Sequence, residues 1–271
     1  MPLKSGIFRF DSKRAKIQGV KISAVIIAFN ESAKIADAVR SVQWADEVLV
    51  VDSESIDGTR EIAAALGARV VVEKWRGFAG QKQFAVDAAA NEMILSLDAD
   101  ERVTPQLRDE ILAIDKPAAA YSIPRLSTYM GREIRHCGWY PDRQIRLFDR
   151  RKARWKDVPV HESVIVNDGE RVAELSGDIL HFSVDGVEHH AQMIQERYAP
   201  LGAEAMKVAG RSTSPLQIAA APVAAFVSTY FLKLGVLDGL PGLAISYFAA
   251  YNVFLKHLLL YESKKASEAG Q

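Results

Sequence analysis

The stretch Leu95-Ser96-Leu97-Asp98-Ala99-Asp100-Glu101 is the end of an apolar run that stops abruptly in closely spaced carboxylates. An apolar run of this kind is typical of a strand buried in a parallel sheet. The carboxyl end of such a strand delivers Asp98 and Asp100 together to a cleft, and carboxylate oxygens are preferred ligands of hard divalent cations. The stretch therefore predicts a buried strand with a metal and phosphate site at its end.

The chain before this stretch repeats one unit, an apolar run followed by a segment with helical periodicity. The apolar runs predict strands at 22–29, 47–51, 69–72 and 93–97, and the periodic segments predict helices at 32–42, 59–66 and 78–90. Further on, Thr104 and Pro105 predict the N-cap and the first residue of a helix that ends near Ile114. Alternating strands and helices are typical of an α/β fold with a parallel sheet and crossover helices.

The composition narrows the function classes. The 271 residues are 49% hydrophobic and 25% charged with a formal net charge of zero. These values predict one large globular domain, with or without an appendage, and no nucleic-acid partner. The single cysteine, Cys137, excludes an internal disulfide framework and is typical of a reducing compartment. No apolar stretch of signal-peptide length follows the basic segment 1–20, so we expect the protein to stay unexported.

Acidic residues follow three of the predicted strands, and ligands of such sheets bind at the carboxyl ends of the strands. The first strand leads into Asn30 and Glu31 without a glycine-rich loop, which excludes the dinucleotide fingerprint and the P-loop. The second strand ends at Asp52, and the fourth leads into Asp98 and Asp100. Converging carboxylates can accept hydrogen bonds from ribose hydroxyls and a base N–H and can hold a metal. This edge therefore suits a nucleotide whose phosphates are neutralised by a metal ion.

The regular alternation fades after about residue 115 into shorter segments with a basic middle. The basic residues of this region are Arg132, Arg135, Arg143, Arg146, Arg150, Arg151, Lys152, Arg154 and Lys156. Trp139, Tyr140 and Trp155 are interleaved with them. This composition suits either a solvated surface or contact with phosphates, those of a donor or of an anionic lipid acceptor.

Two uncharged apolar stretches follow at 216–232 and 243–255, the first of them interrupted by Pro222. Each is short or marginal against the roughly 20 residues of a membrane-spanning helix. We expect them to embed in the membrane interface, with a buried helical hairpin as the alternative. The expected anchors are Tyr230, Phe231, Tyr247, Phe248, Tyr251 and Lys256.

The predicted parts of the chain are a basic segment at 1–20, a main domain at 21–210 and an apolar helical region at 211–271. Within the main domain we expect a nucleotide-binding half at 21–115 and an acceptor half at 116–210.

Three motifs together resemble those of family 2 glycosyltransferases. They are Ala28-Phe29-Asn30-Glu31, the Asp52-Ser53-x-Ser55-x-Asp57-Gly58-Thr59 segment, and Leu97-Asp98-Ala99-Asp100-Glu101. Further likeness at 142–148, 158–162, 180–183 and 232–242 points more narrowly to bacterial glycosyltransferases of lipopolysaccharide core assembly, the WaaE/KdtX-like group. The resemblance implies the GT-A fold, an α/β Rossmann-like fold of nucleotide-diphospho-sugar transferases, here with a C-terminal helical extension that associates with membranes.

The resemblance also implies an inverting, metal-dependent transfer from a UDP-sugar, which we expect to carry a hexose. On this basis Asn30, Glu31 and Asp52 hold the uridine, and Asp57 helps to shape the same pocket. These assignments give the acidic strand ends a common ligand, the nucleotide of the donor.

A divalent cation, Mg²⁺ or Mn²⁺, is implied as the cofactor that bridges the donor diphosphate. Asp100 is the expected principal ligand, and Asp98 is expected near the ribose or as a further ligand of the metal. His181 is implied to complete the metal or pyrophosphate site, although a lone histidine near an apolar strand is also typical of a structural role.

Inversion requires a base that takes the proton of the acceptor hydroxyl. The expected base is Glu162, which is preceded by His161 where many relatives have an acidic pair. Gln81, Lys82 and Gln83 either contact the donor or form the solvated first turns of a helix.

Other functions compete with this one. A haloacid-dehalogenase phosphohydrolase would have Thr or Val where Arg102 stands, two residues past the second aspartate. A polyprenyl-phosphate glycosyltransferase would share the nucleotide site and differ in acceptor. A non-catalytic, membrane-associated scaffold would have lost acids that this chain retains. The absence of a Gln-x-x-Arg-Trp motif disfavours a processive synthase.

The sequence therefore supports a non-processive glycosyltransferase at the cytoplasmic face of the bacterial inner membrane. We expect its partners to be a UDP-sugar, a lipid-linked glycan acceptor such as lipopolysaccharide core, and the membrane surface, to which the enzyme binds peripherally or by embedding in the interface.

Overall fold

The computed structural model describes residues 20–156 and 162–269, with side chains as far as Lys265. The strands are β1 Ile22–Ala28, β2 Glu47–Asp52, β3 Arg69–Val72, β4 Met93–Asp98, β5 Glu101–Val103, β6 Ala120–Tyr129, β7 Arg132–Glu133, β8 Asp142–Asp149, β9 Ala153–Trp155, β10 Val164–Val166, β11 Val172–Glu174 and β12 Ile179–His181. The α-helices are α1 Ile35–Ser41, α2 Thr59–Ala65, α3 Phe78–Ala88, α4 Pro105–Leu112, α5 Val187–Met193, α6 Ala199–Val208, α7 Pro215–Val227 and α8 Gly239–Ala269. Short π-helical segments, Ile194–Tyr198 and Ser228–Leu232, follow α5 and α7, and a 3₁₀ turn at Gly235–Asp238 precedes α8.

The main sheet has the strand order β3-β2-β1-β4-β8-β6-β12-β5. Its first four strands pair in parallel, β1 with both β2 and β4, and β2 with β3. β8 then pairs antiparallel with β4 on one side and with β6 on the other. The predicted parallel sheet is confirmed for β1 to β4. Beyond them the sheet continues through strands that the sequence pattern did not reveal. The sheet runs across the expected division of the domain at residue 115, and that division stays a prediction.

The core of the sheet is built around β1, whose seven residues are all buried. Successive side chains of a strand point to opposite faces, so Ile26 and Ile27 enter different clusters. Ile26 packs in a cluster that includes Ile35 of α1 and Leu107 of α4. Ile27 packs in a second cluster that includes Val86 of α3. Helices on both faces explain why β1 is a continuous apolar run rather than an alternating one.

The register of the parallel strands brings their carboxyl ends to one level. Ala28 of β1 pairs with Asp52 of β2, and Ile27 pairs with Asp98 of β4. On the other side of the acidic segment, Thr104 caps α4 by accepting a hydrogen bond from the Leu107 N–H at 3.2 Å, and Pro105 is the first helical residue, as predicted. The acidic strand ends therefore share one edge of the sheet.

The C-terminal helices α7 and α8 pack against each other, with the rings of Phe226 and Tyr247 4.8 Å apart. Pro222 lies inside α7 without ending it, and α7 buries none of its residues. By length and composition, the helical segments Pro215–Leu232 and Gly235–Lys265 are each long and apolar enough to cross a membrane. Helical structure continues well past the uncharged residues 243–255, so the second stretch is not short, whereas the first, at 18 residues, stays marginal for a membrane-spanning helix. Their exposure also disfavours a hairpin buried against the rest of this chain.

Candidate active site

The loops after β1 and β2 are tied together by polar side chains. Asn30 N–H donates to Ser55 Oγ at 2.8 Å, and Ile56 N–H donates to Asn30 Oδ1 at 3.0 Å. Asn30 has a φ of 53°, a left-handed conformation that asparagine adopts more readily than most residues. The two loops therefore form one wall of the cleft, and Asn30 helps to build that wall.

The Asp52 carboxylate is fully buried beneath this wall. Its Oδ1 accepts from the Ser55 N–H at 2.8 Å, its Oδ2 accepts a short hydrogen bond from the Ser55 hydroxyl, and Arg60 Nε lies 3.8 Å from Oδ1. Asp52 thus shapes the loop that carries Ser55. Its expected contact with uridine stays a prediction, because the side chain is fully buried.

Asp57 holds the neighbouring turn. Its Oδ2 accepts from the Ser32 N–H at 2.9 Å, and its Oδ1 accepts from Thr59 N–H at 3.1 Å and from the Thr59 hydroxyl at 2.5 Å. The Thr59 hydroxyl, followed by the Ser32 N–H, holds the pKa of Asp57 well below its usual range. Thr59 Oγ1 in turn accepts from Glu31 N–H at 2.9 Å. Asp57 therefore ties the loop after β1 to the start of α2, and its role at the nucleotide stays a prediction.

Glu31 follows β1, and Asp100 follows the neighbouring strand β4. Burial raises the pKa of Glu31; Lys34 acts against this shift, and Asp100 adds to it. Carboxylates with a pKa shifted by burial and by nearby charges cluster at functional sites. The structure thus brings the ends of β1 and β4 together.

Asp98 is held by two buried cations. Lys82 Nζ lies 3.0 Å from Asp98 Oδ1, and Arg146 Nη2 donates to Asp98 Oδ2 at 3.0 Å. Arg146 Nη2 also donates to Glu101 Oε1 at 2.7 Å, and Glu101 Oε2 accepts from Asp98 N–H at 3.0 Å. Burial acts to raise the pKa of Asp98, yet Lys82 and Arg146 outweigh it and hold that pKa well below its usual range. Asp98 is therefore ionised and fixed in place.

Lys82 and Arg146 hold the acidic end of β4, and the sequence did not reveal their positions. The Lys82 side chain is 3% exposed, so of the two alternatives for this segment the solvated first turns on α3 are wrong for it, and contact with the donor stays a prediction. A signal was present, since Ala79, Ala85 and Val86 are buried at helical spacing around Lys82. Gln81 is likewise buried and donates to Ser53 Oγ at 3.1 Å. Gln83 accepts from Trp155 N–H at 2.9 Å through its Oε1.

Glu162 lies beside the same lysine. Its Oε1 is 3.5 Å from Lys82 Nζ, and its side chain is partly exposed. Lys82 Nζ also lies 4.8 Å from the centroid of the Trp155 ring, and the Arg146 guanidinium lies 5.8 Å from it, both cation–π distances. The expected base is therefore at the end of β4. His161, the other residue expected here, lies outside the described residues.

Asp100 pairs with His181 on the opposite side of the acidic segment. His181 Nε2 is 3.4 Å from Asp100 Oδ2, and His181 lies directly across from Glu101 in the β12–β5 pairing. The Phe182 N–H donates to the Asp100 carbonyl at 2.9 Å, which fixes the turn. Burial acts to raise the pKa of Asp100, and the His181 hydrogen bond and charge more than offset it, so the pKa is lowered.

The Asp100–His181 pair suits a divalent cation that takes most of its ligands from a substrate. Among the described residues, no group of three or more His, Cys, Asp or Glu side chains could hold a metal by itself. Mg²⁺ in phosphate-transfer sites is commonly held by one or two carboxylates together with substrate phosphates and water. Asp98, engaged by Lys82 and Arg146, is better placed to orient the site than to serve as a free ligand.

Comparison with known proteins identifies what the chain resembles. The family model described as Glycosyl transferase family 2 matches residues 23–171. An uncharacterized glycosyltransferase of Rickettsia prowazekii is 32% identical over 251 residues, which cover 87% of this chain and 85% of the relative. The lipopolysaccharide core biosynthesis glycosyltransferase LpsC of Rhizobium meliloti is 28% identical over 265 residues, 90% of this chain and 95% of LpsC. Glucosyl-3-phosphoglycerate synthase from Mycobacterium tuberculosis, solved with Mn²⁺, UDP and glucosyl-3-phosphoglycerate, matches 48% of this chain and 53% of that chain at 25% identity, with a TM-score of 0.34.

Proposed function

The chain belongs to glycosyltransferase family 2 and has an α/β sheet of the GT-A type, and from this premise we propose that it transfers a sugar from a UDP-sugar to a lipid-linked glycan with inversion at the anomeric carbon. The donor sugar is proposed to be a hexose. Family membership decides against the haloacid-dehalogenase alternative.

One observation carries the proposal of catalysis. Glu162 and Asp98 contact the same ammonium group, that of Lys82. The Lys82 side chain therefore links the proposed base to the end of β4, which carries the acidic motif. Since a scaffold without turnover has no need to hold a carboxylate in this position, this geometry favours an enzyme over a binding protein.

Asp100 and His181 are the residues proposed to hold Mg²⁺ or Mn²⁺. The bound ion would neutralise the charge that develops on the diphosphate as it leaves. The role of the chain itself is to hold Asp100 beside His181 and to keep Asp98 fixed through Lys82 and Arg146.

The proposed reaction is a single displacement. The acceptor hydroxyl oxygen forms a bond to the anomeric carbon, the bond from that carbon to the phosphate oxygen breaks, and the nucleoside diphosphate leaves with the electron pair. Glu162 takes the hydroxyl proton and becomes a neutral carboxylic acid beside Lys82. Attack from the face opposite the leaving group inverts the anomeric centre.

The proposed acceptor is a lipid-linked glycan of the lipopolysaccharide-core type. Two features support it: the similarity to LpsC over 90% of the chain, and the two exposed apolar helical segments. Localisation at the cytoplasmic face of the inner membrane is part of this proposal. The single free thiol of Cys137 fits a reducing compartment, and a nucleotide-sugar donor fits the same compartment. A polyprenyl-phosphate acceptor is the alternative that shares these features.

Titration calorimetry of UDP tests the proposed donor site. UDP should bind with Mn²⁺, and binding should be lost in EDTA and in Asp100→Asn. Asp109→Asn, on the exposed side of α4, is the matched control and should bind as the wild type does. A folded protein that binds no UDP under any of these conditions would overturn the UDP-sugar assignment.

A further inference from the structure

A cavity of about 350 Å³ lies between the sheet and the segment formed by α5 and the π-helical turn that follows it. The residues of its wall that matter here are Ser127, Trp139, Asp142, His181, His190 and Tyr198. His181 belongs both to this cavity and to the pair with Asp100. The cavity therefore adjoins the proposed metal and diphosphate site.

The lining has the chemistry of a carbohydrate site. Trp139 is half-buried, and its ring is held by Tyr129 at 5.9 Å and by His190 at 6.0 Å between ring centroids. Tyr198 is 44% exposed, so both rings have surface to offer to a ligand. Ligand pockets combine aromatic walls with a few fixed polar groups, and their usual volumes start at about 300 Å³. A cavity of this size suits a sugar unit.

Asp142 supplies the fixed polar group. Its Oδ2 accepts from Arg125 Nε at 2.9 Å and Nη2 at 2.5 Å, and its Oδ1 accepts from Gln144 Nε2 at 2.8 Å. A carboxylate oriented by these donors has lone pairs left for sugar hydroxyls. Arg125 also reaches Glu101 Oε1 at 3.3 Å, so the cavity and the Asp98 cluster belong to one polar network.

The far wall of the cavity is attached to the apolar helices. The rings of His190 and Phe248 of α8 lie 4.2 Å apart, and Gln195 donates to the Tyr251 hydroxyl at 2.8 Å. The loop that carries Trp139 is tied to the start of α8, because Asp238 accepts from His136 N–H at 2.9 Å. A glycan whose lipid lies beside α7 and α8 would thus meet this cavity before it meets the donor.

We propose that this cavity is the acceptor subsite and binds the terminal sugar of a lipid-linked glycan. Trp139 and Tyr198 pack against the sugar ring, and Asp142 accepts hydrogen bonds from its hydroxyls. This inference rests on the proposed function and deepens it by naming the residues that recognise the acceptor.

The test uses the full-length protein, loaded with UDP and Mn²⁺, and delipidated core oligosaccharides from rough lipopolysaccharide in a series of truncation lengths. Removing the lipid excludes adhesion to the apolar helices. Calorimetry or saturation-transfer NMR compares the wild type with Tyr198→Ala and Trp139→Ala. Tyr247→Ala is the matched control, because Tyr247 is an aromatic residue of α8 that is 63% exposed and lies outside the cavity lining.

Support for the proposal is binding of at least one oligosaccharide by the wild type and by Tyr247→Ala, with affinity lowered at least fivefold in both cavity variants while UDP affinity stays within twofold. Tyr198→Ala keeps the test valid if Trp139→Ala fails to fold. Equal oligosaccharide affinity in folded cavity variants and wild type overturns the subsite. So does a wild type that binds UDP but none of the oligosaccharides. Failure to bind UDP would instead count against the proposed function.

Discussion

The ammonium nitrogen of Lys82 lies 3.0 Å from Oδ1 of Asp98, with the lysine side chain almost completely withdrawn from solvent. A buried cation is tolerated only when it is paired and hydrogen-bonded. Lys82 meets this condition through Asp98, through Glu162 at 3.5 Å and through the Trp155 ring. The pairing converts the acidic motif at the end of β4 from a loose cluster of carboxylates into a fixed arrangement.

Replacing Lys82 by methionine should lower both stability and transfer. We expect the free energy of unfolding to fall by about 2 kcal/mol, below the range for breaking a buried ion pair, because Arg146 still contacts Asp98. Chemical denaturation measures this loss. Lys152→Met, which removes a surface ion pair with Glu170, should change stability by less than about 1 kcal/mol. Equal losses in the two variants would contradict a special role for Lys82.

Replacing Glu162 by glutamine should remove the proposed base while leaving the shape of the site intact. Transfer should fall by roughly 10²- to 10⁴-fold, the usual contribution of a positioned acid or base. UDP affinity should stay unchanged, because the substitution acts on the acceptor proton. Glu170→Gln, at the exposed Lys152 pair, is the control. Retention of wild-type turnover in Glu162→Gln would assign the base to another residue.

The stability of the fold should depend on pH through Asp98. The pKa of Asp98 is held well below the ordinary value of about 3.9 that applies in the unfolded chain. The unfolded chain therefore binds more protons than the folded one as the pH falls through about 4. The stabilisation by Lys82 and Arg146 is fully present above that pH and is lost as the pH falls towards the folded pKa.

Urea unfolding between pH 7 and pH 2.5 measures this dependence. Asp98→Asn should give a shallower acid limb than the wild type, since it has no proton to take up at this position. Asp109→Asn, at an exposed site on α4, should keep the wild-type slope. An unchanged slope in Asp98→Asn would place the acid sensitivity in other carboxylates.

The exposed face of α7 should bind membranes. Val223→Asp puts a charge on an exposed apolar position, and a central aspartate in an inserted helix costs about 3 kcal/mol on insertion scales. We expect loss of co-sedimentation with anionic vesicles and no change in UDP binding. Val208→Asp, on α6 just before the apolar segments, is the matched control. Unchanged sedimentation in Val223→Asp would contradict association through α7.

The elements that depend on residues close together in the chain could be predicted from the sequence. The runs that became β1, β2 and β4 are largely buried, and the Thr104–Pro105 cap is a local signal, so both were predicted correctly. β8 was missed because it enters the sheet between β4 and β6, out of chain order, and no local pattern encodes that insertion. The position of Arg146 depends on it.

In the candidate site, too, the sequence predicts the local features and misses those that depend on distant parts of the chain. Asp98 and Asp100 were found from their spacing after an apolar strand, and the structure places both at the expected edge. Their different partners were not predictable, since Lys82 comes from α3 and His181 from β12. Asp52 was located correctly at the end of β2, but the direction of its carboxylate depends on the Ser55 hydrogen bonds, which only the folded loop defines.

The tie between Asp238 and the His136 loop has a mechanical consequence. Asp238 is buried and immediately precedes α8, and it accepts from both the N–H and the ring of His136. The loop that carries Trp139 and the first turn of α8 are therefore joined directly. If α8 binds the membrane as proposed, this contact would set the distance between the membrane and the proposed acceptor subsite. A glycan lengthened by one sugar would then no longer place its new end at the same height, and single addition would follow from the length of the product.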